Sequence, residues 1–188
     1  MRVLYTLLWW IALPALPLRL WWRGRREPGY RERIAERFGR YAPDASPDAA
    51  RPDAPPVLWI HAVSLGETRA AIPLVDRLKR AHPEARILVT HMTATGRAAG
   101  RTIFGDTVMQ AWLPYDIPFA VRRFLRHFRP AAGVLMETEL WPNLIAIARE
   151  AGVPLFLVNA RLSEKSAAGY ARVPSLSRPA CQGTNPTS

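Results

Sequence analysis

Between residues 57 and 159, runs of apolar residues alternate with stretches of helical periodicity, and this alternation confines the chain to an α/β architecture built on a parallel sheet. The spacing predicts strands over Val57–Val63, Arg86–His91, Val108–Leu113, Ala132–Glu137 and Pro154–Asn159. Helices are predicted between them, over Glu67–Ala81, Thr95–Ile103, Pro118–His127 and Leu140–Ala151. In the first of these, Ile72, Val75 and Leu78 share one face. The strand runs are continuously apolar, as expected where helices cover both faces of a doubly wound, Rossmann-like sheet.

Such sheets bind ligands at the carboxyl ends of their strands. Four segments fall there: His61 to Glu67, His91 to Arg97, Leu113 to Asp116, and Met136 to Asn143. They would bring Glu67, Glu137 and Glu139, His61 and His91, and Arg97 around one crevice. Glu67 lies in the first turn of its predicted helix, where the dipole favours an ionised carboxylate. Two readings stand for it: a general base at the mouth of a cleft, or a glutamate that only complements the dipole. The Thr93–Gly96 turn suits phosphate or sugar hydroxyls, Arg97 reads either as part of the crevice or as a solvated helix arginine, and His61 reads as a packed strand-end residue. Serine or threonine at a helix start also suits capping.

The ends of the chain differ from its middle. Val3 to Leu18 carries no charge and is followed by Arg19, Arg23, Arg25 and Arg26, with Trp9, Trp10, Trp21 and Trp22 as a candidate interfacial belt. The order, apolar then basic, opposes a cleaved signal and predicts an uncleaved membrane anchor over residues 1–22 with a cytoplasmic body. Spanning and interface-lying forms stay open, because the run is shorter than the ~20 residues of a straight span. Residues 23–41 are predicted to form a basic amphipathic helix, with Tyr30, Ile34 and Phe38 on one face and Gly39 at its end. Eight arginines between Arg19 and Arg40 outnumber Glu27, Glu32 and Glu36, which suits an anionic membrane surface. Residues 42–56 read as a Pro/Ala/Asp linker and 57–173 as the sheet domain. The stretch 174–188 has no periodicity, reads as a disordered tail, and suggests truncation or a change of frame. A formal charge of +11 also raises nucleic-acid binding, but the arginines cluster beside the apolar segment and no nucleic-acid motif is present. One cysteine, Cys181, excludes an internal disulfide and a cysteine-based metal site, and the four histidines show no metal-ligand spacing.

HAVSLGETRAAIPLV, THMTATG, LPYD, METELWPNLI and VNARLSEKSAAGY, in this order, resemble the N-terminal half of the 3-deoxy-D-manno-octulosonic acid (Kdo) transferases of lipopolysaccharide synthesis. The resemblance runs from Leu4 to about Val173. It implies a GT-B glycosyltransferase that moves Kdo from CMP-Kdo to the lipid A precursor (lipid IVA) at the cytoplasmic face of the inner membrane. No cofactor and no metal enter the catalytic step. It further implies Glu67 as the catalytic base, Glu137 as a second acid tied to activity, and an acceptor pocket lined by Ser64, Gly66, Thr93, Thr95 and Arg97, with Glu139 in a less defined role there. The CMP-binding donor domain of a complete member has no counterpart in these residues, so the chain is expected to carry the base and the acceptor surface and to be inactive alone. The competing expectation is a non-catalytic membrane-binding fragment.

Overall fold

The computed structural model describes residues 2–42, 54–136, 141–158 and 184–186. Its centre is a parallel sheet in the order β3-β2-β1-β4-β5-β6. The strands are β1 (Val57–His61), β2 (Arg86–His91), β3 (Met109–Trp112), β4 (Pro130–Leu135), β5 (Leu155–Leu157) and β6 (Thr184–Pro186). This is the doubly wound order, with the switch point between β1 and β4. Five strands therefore fall where the apolar runs place them. β6 is a correction, since no strand is expected after residue 174. An edge strand pairs through its backbone on one side only, so it tolerates Pro186. The rest of 174–188 and most of the predicted linker (43–53) lie outside the described residues.

Alternation along β1 divides the core. Val57 and Trp59 face α6 (Pro118–Phe128) and α7 (Pro142–Glu150), in a cluster with Phe124, Phe128, Leu144 and Ile147. Ile60 faces the other way, with Val75, Val89 and Phe104 from the layer of α4 (Ile72–Ala81) and α5 (Ala94–Phe104). Trp59 is fully buried and donates its indole N–H to Thr90 Oγ1 at 2.8 Å, satisfying the one polar atom it brings into the core. The predicted helix Glu67–Ala81 is two helices, α3 (Leu65–Ala70) and α4, broken at Ala71. Pro73 explains the break: it has no N–H to continue the helical ladder, and it sits instead in the first turn of α4.

The N-terminal segment departs most from expectation. α1 (Arg2–Ala12) and α2 (Ala15–Arg26) are bent by 62° at Leu13–Pro14. No single helix is long and apolar enough to cross a membrane, although the bent pair meets that test together. The amphipathic helix predicted over 23–41 is replaced by the end of α2 and two 3-10 turns, Pro28–Arg31 and Ile34–Phe38. Pro28 forces Glu27 into an extended conformation and stops α2. Tyr30, Ile34 and Phe38 still pack into one cluster with Leu16, Leu20, Tyr115 and Ile117, over the carboxyl end of the sheet.

Gly39 closes this segment as expected, in the left-handed region at φ 74°. A Cβ there would lie 2.5 Å from the Ala120 carbonyl oxygen of α6. Gly39→Ala is therefore expected to cost about 2 kcal/mol, from left-handed strain and a clash with rigid backbone. Denaturant unfolding measures this, and an unchanged midpoint would show that the turn is not locked against α6.

Candidate active-site crevice

Beyond β1 the chain turns through Ala62 and Val63, and Ser64 caps α3 with its side chain at the helix N-terminus. Ser64 Oγ–H donates to Glu67 Oε1 at 2.7 Å, while the Glu67 N–H reaches Ser64 Oγ at 3.5 Å. The Val63 N–H donates to Glu67 Oε2 at 2.6 Å. The serine and the glutamate three residues later thus hold one another reciprocally, in a capping box with Val63 as the backbone donor. Glu67 is buried, and its carboxylate is held in a single orientation at the rim of the β1 turn. That arrangement serves α3 structurally and equally pre-orients a carboxylate at a strand end.

The β2 turn is fastened to the same point. Val63 O accepts from the Thr93 N–H at 3.1 Å and from Thr93 Oγ–H at 2.9 Å. Thr93 Oγ1 in turn accepts from the Gly96 N–H at 3.1 Å and caps α5. Gly96 permits this approach, because a Cβ would lie 2.9 Å from Val63 O. Thr95 stands beside Thr93, exposed, with its hydroxyl 3.4 Å away. Ser64, Gly66, Glu67, Thr93 and Thr95 are thereby gathered around two adjoining turns, as their sequence positions suggest.

Arg97 is not among them. Its side chain is 4% exposed, its Nη1 lies 3.0 Å from Glu36 Oε2, and its guanidinium stacks over the Trp112 ring at 4.6 Å. Its guanidinium turns to Glu36 and Trp112 rather than to the turns that gather the other candidates. On the buried face of α5, an arginine must be neutralised by a buried acid, and Glu36 from the N-terminal segment provides it. Glu36 Oε2 also accepts from the Trp112 N–H at 2.9 Å, joining the segment to β3. Glu137 and Glu139 lie outside the described residues.

Both strand-end histidines are structural. His61 Nδ1 is 2.9 Å from Thr90 Oγ1, and His91 Nδ1–H donates to Ala62 O at 3.0 Å. Burial, and for His61 also the neighbouring His91, pushes His61 down to about 3. Burial likewise brings His91 to about 4. Both imidazoles are therefore neutral near pH 7, so neither supplies a proton there, and His61 is packed as its position suggests.

Asp116 closes the third strand-end segment, but the sequence assigned it no role. It is fully buried, and its two carboxylate oxygens accept from the Asn143 and Leu144 N–H groups at 3.0 and 2.7 Å. Its own carbonyl accepts from Asn143 Nδ2 at 2.8 Å. It thus caps α7 from a different loop. Burial raises it to about 6 against the lowering effect of those two N–H groups. The signal in the sequence was an acid directly after an apolar strand and Leu-Pro-Tyr, but its partner lies 27 residues away. Among the described residues, no group of three or more His, Cys, Asp or Glu side chains could hold a metal ion.

Comparison with known proteins bears on this crevice. A family described as 3-deoxy-D-manno-octulosonic-acid transferase (kdotransferase) matches residues 32–185, which extends beyond Val173, where the sequence reading ends the resemblance. A 3-deoxy-D-manno-octulosonic acid transferase of Bordetella pertussis is 51% identical over 172 residues, covering 88% of this chain and 38% of its own. The Haemophilus influenzae protein of the same name is 38% identical over 172 residues, covering 92% and 39%. A probable mitochondrial 3-deoxy-D-manno-octulosonic acid transferase of Arabidopsis thaliana is 39% identical over 163 residues, covering 87% and 35%. The chain spans about two fifths of the length of these relatives.

Proposed function

Because this chain belongs to the Kdo transferase family, we propose that it forms the acceptor side of a GT-B glycosyltransferase in which Glu67 is the general base. The donor in this reading is CMP-Kdo and the acceptor is the lipid A precursor, lipid IVA. As the acceptor oxygen attacks the anomeric carbon, its proton passes to the Glu67 carboxylate and the bond to CMP breaks. The observation that carries the reading is the fixation of Glu67 at the carboxyl end of β1, beside the switch point, by Ser64 Oγ–H and the Val63 N–H. A base must lie within hydrogen-bond reach of the proton it takes, and a carboxylate on a rigid strand-end turn meets that requirement. Ser64, Gly66, Thr93 and Thr95 belong to the acceptor surface in this reading, and Glu137 is a second acid tied to activity.

The enzyme in this reading works at the cytoplasmic face of the inner membrane, with α1 and α2 lying in the interface. Support comes from the exposed apolar side chains Val3, Leu7, Ile11, Leu18 and Trp22, a surface suited to partial insertion beside a basic rim. α1 is also tied to the sheet domain. Arg2 pairs with Glu150 at 3.5 Å, Thr6 Oγ–H donates to Asn143 Oδ1 at 3.1 Å, and the rings of Trp9 and Tyr115 are 5.6 Å apart.

The test replaces the glutamate aligned with Glu67 by glutamine in a full-length member of the family. Glutamine keeps the shape and an acceptor oxygen but takes no proton, so Kdo transfer is expected to fall by about a hundredfold or more. Binding to lipid IVA and the melting temperature should change little. Transfer at wild-type rate with unchanged binding would remove Glu67 from the role of base.

A further inference from the structure

Above the crevice, α2 meets the carboxyl ends of β1, β2 and β3 around a cavity of about 240 Å³, lined by Arg19, Arg23, Arg37, Val63, Thr93 and Tyr115 among others. We propose that this cavity binds the phosphomonoester of a sugar or lipid headgroup, with Arg19, Arg23 and Arg37 as its cationic walls. The inference deepens the acceptor-side reading and rests on it only for the identity of the lipid.

Among the described residues two arginines are buried, Arg37 and Arg97, and of the two only Arg97 meets an acid. Arg33, Arg97, Arg101 and Arg122 each meet a glutamate within 4 Å, whereas among the described residues no carboxylate pairs with Arg19, Arg23 or Arg37. Arg37 is the decisive case. It is 1% exposed, yet its Nε has no hydrogen-bond partner among the described residues. One Nη2 bond to Met92 O at 3.3 Å and stacking over the Trp112 ring at 3.9 Å hold it in place. A buried guanidinium without a counter-charge is costly unless an anion completes it. Burial lowers the Arg37 pKa, and the nearby charges of Arg97 and Arg23 act in the same direction, so positive charges are crowded here. Arg23 is likewise held, 4.5 Å over the Tyr30 ring. The three guanidiniums suit a dianionic phosphomonoester better than a singly charged diester, and the Tyr115 hydroxyl adds a donor.

Size and position narrow the ligand further. The cavity has room for a phosphate with part of a sugar, and none for acyl chains. Val63 lines it while its N–H holds the Glu67 carboxylate at 2.6 Å, so a bound phosphate lies one residue from the proposed base. Beside it, Trp21 and Trp22 are exposed on α2, where lipid would lie. A phosphorylated headgroup can therefore enter the cavity while its chains stay with the apolar face of α1 and α2.

The test uses the 188-residue chain without any donor, so its outcome is independent of Kdo transfer. Binding is measured to phosphatidylcholine vesicles containing phosphatidic acid, to matched vesicles containing phosphatidylglycerol, and to soluble glucosamine 1-phosphate. Arg19→Gln/Arg23→Gln is expected to weaken the phosphomonoester-specific part of binding at least about tenfold. The control Arg25→Gln/Arg26→Gln removes the same charge from arginines that lie over Trp21 and Trp22 and do not line the cavity, and it should change binding less than about twofold. Glucosamine 1-phosphate bound as tightly as the vesicles upholds the cavity with the sugar phosphate as ligand. A requirement for phosphatidic acid upholds it with the lipid-borne group. Equal losses from the two double variants, or phosphatidylglycerol bound as well as phosphatidic acid, would overturn the proposal.

Discussion

Glu36→Ala is expected to destabilise the chain by about 3–5 kcal/mol, because it leaves the Arg97 guanidinium buried with no counter-charge. The two partners are 2% and 4% exposed, so water does not replace the lost carboxylate. The same substitution orphans the Trp112 N–H, now bonded to Glu36 Oε2 at 2.9 Å, and an unsatisfied buried donor adds to the cost. Arg97 Nε already lacks a partner among the described residues, so little remains to absorb the charge. Denaturant unfolding of Glu36→Ala measures the loss. The double variant Glu36→Leu/Arg97→Met should recover most of it, since removing both charges removes the desolvation penalty as well. A single variant within about 1 kcal/mol of the parent would show that the pair does not hold the N-terminal segment to β3 and α5.

Acid is expected to lower the stability of the chain between pH 7 and 4.5 through its two buried histidines. His61 and His91 are neutral when folded, with values pushed to about 3 and about 4, and both return to an ordinary histidine value when unfolded. The unfolded state therefore binds more protons below about pH 6.5, and the stability these residues contribute is lost as pH falls toward their folded values. Between pH 7 and 4.5 the two together remove roughly 5 kcal/mol. Asp116 acts in the opposite sense. Its folded value is raised to about 6, so its contribution is complete below its unfolded value and is lost as pH rises through 6. Over the same interval it returns roughly 2 kcal/mol, leaving a net fall. Melting temperatures across this range test the sign, and a plateau or rise below pH 6 would contradict it. His61→Gln should flatten the profile, because glutamine does not titrate.

The sheet was legible because its signal is local. Arg86–His91 is a run of six residues whose apolar members must be covered on both faces, and the strand observed has the predicted bounds. Ser64 as a possible cap and Glu67 in a first turn were legible for the same reason, though only the structure joins them in one capping box. The N-terminal segment was read less well. The helical spacing of Tyr30, Ile34 and Phe38 correctly put these residues on one core, but the backbone reaches it through two 3-10 turns, since Pro28 outweighs periodicity.

Arg37 and Arg97 mark the limit of local reading. In the sequence each is one of many arginines beside an apolar segment or on a helix, and surface charge is the ordinary expectation. In the structure both stack on Trp112, Arg97 neutralised by Glu36 at a sequence distance of 61 residues and Arg37 lining the cavity. By itself the sequence determined the βα order, the parallel sheet, the family and the strand-end position of Glu67, because these follow from apolar periodicity and contiguous motifs. Only the tertiary structure decided which charges are buried, which are paired and which remain to meet an anion. Those outcomes depend on desolvation and on partners brought together from distant parts of the chain.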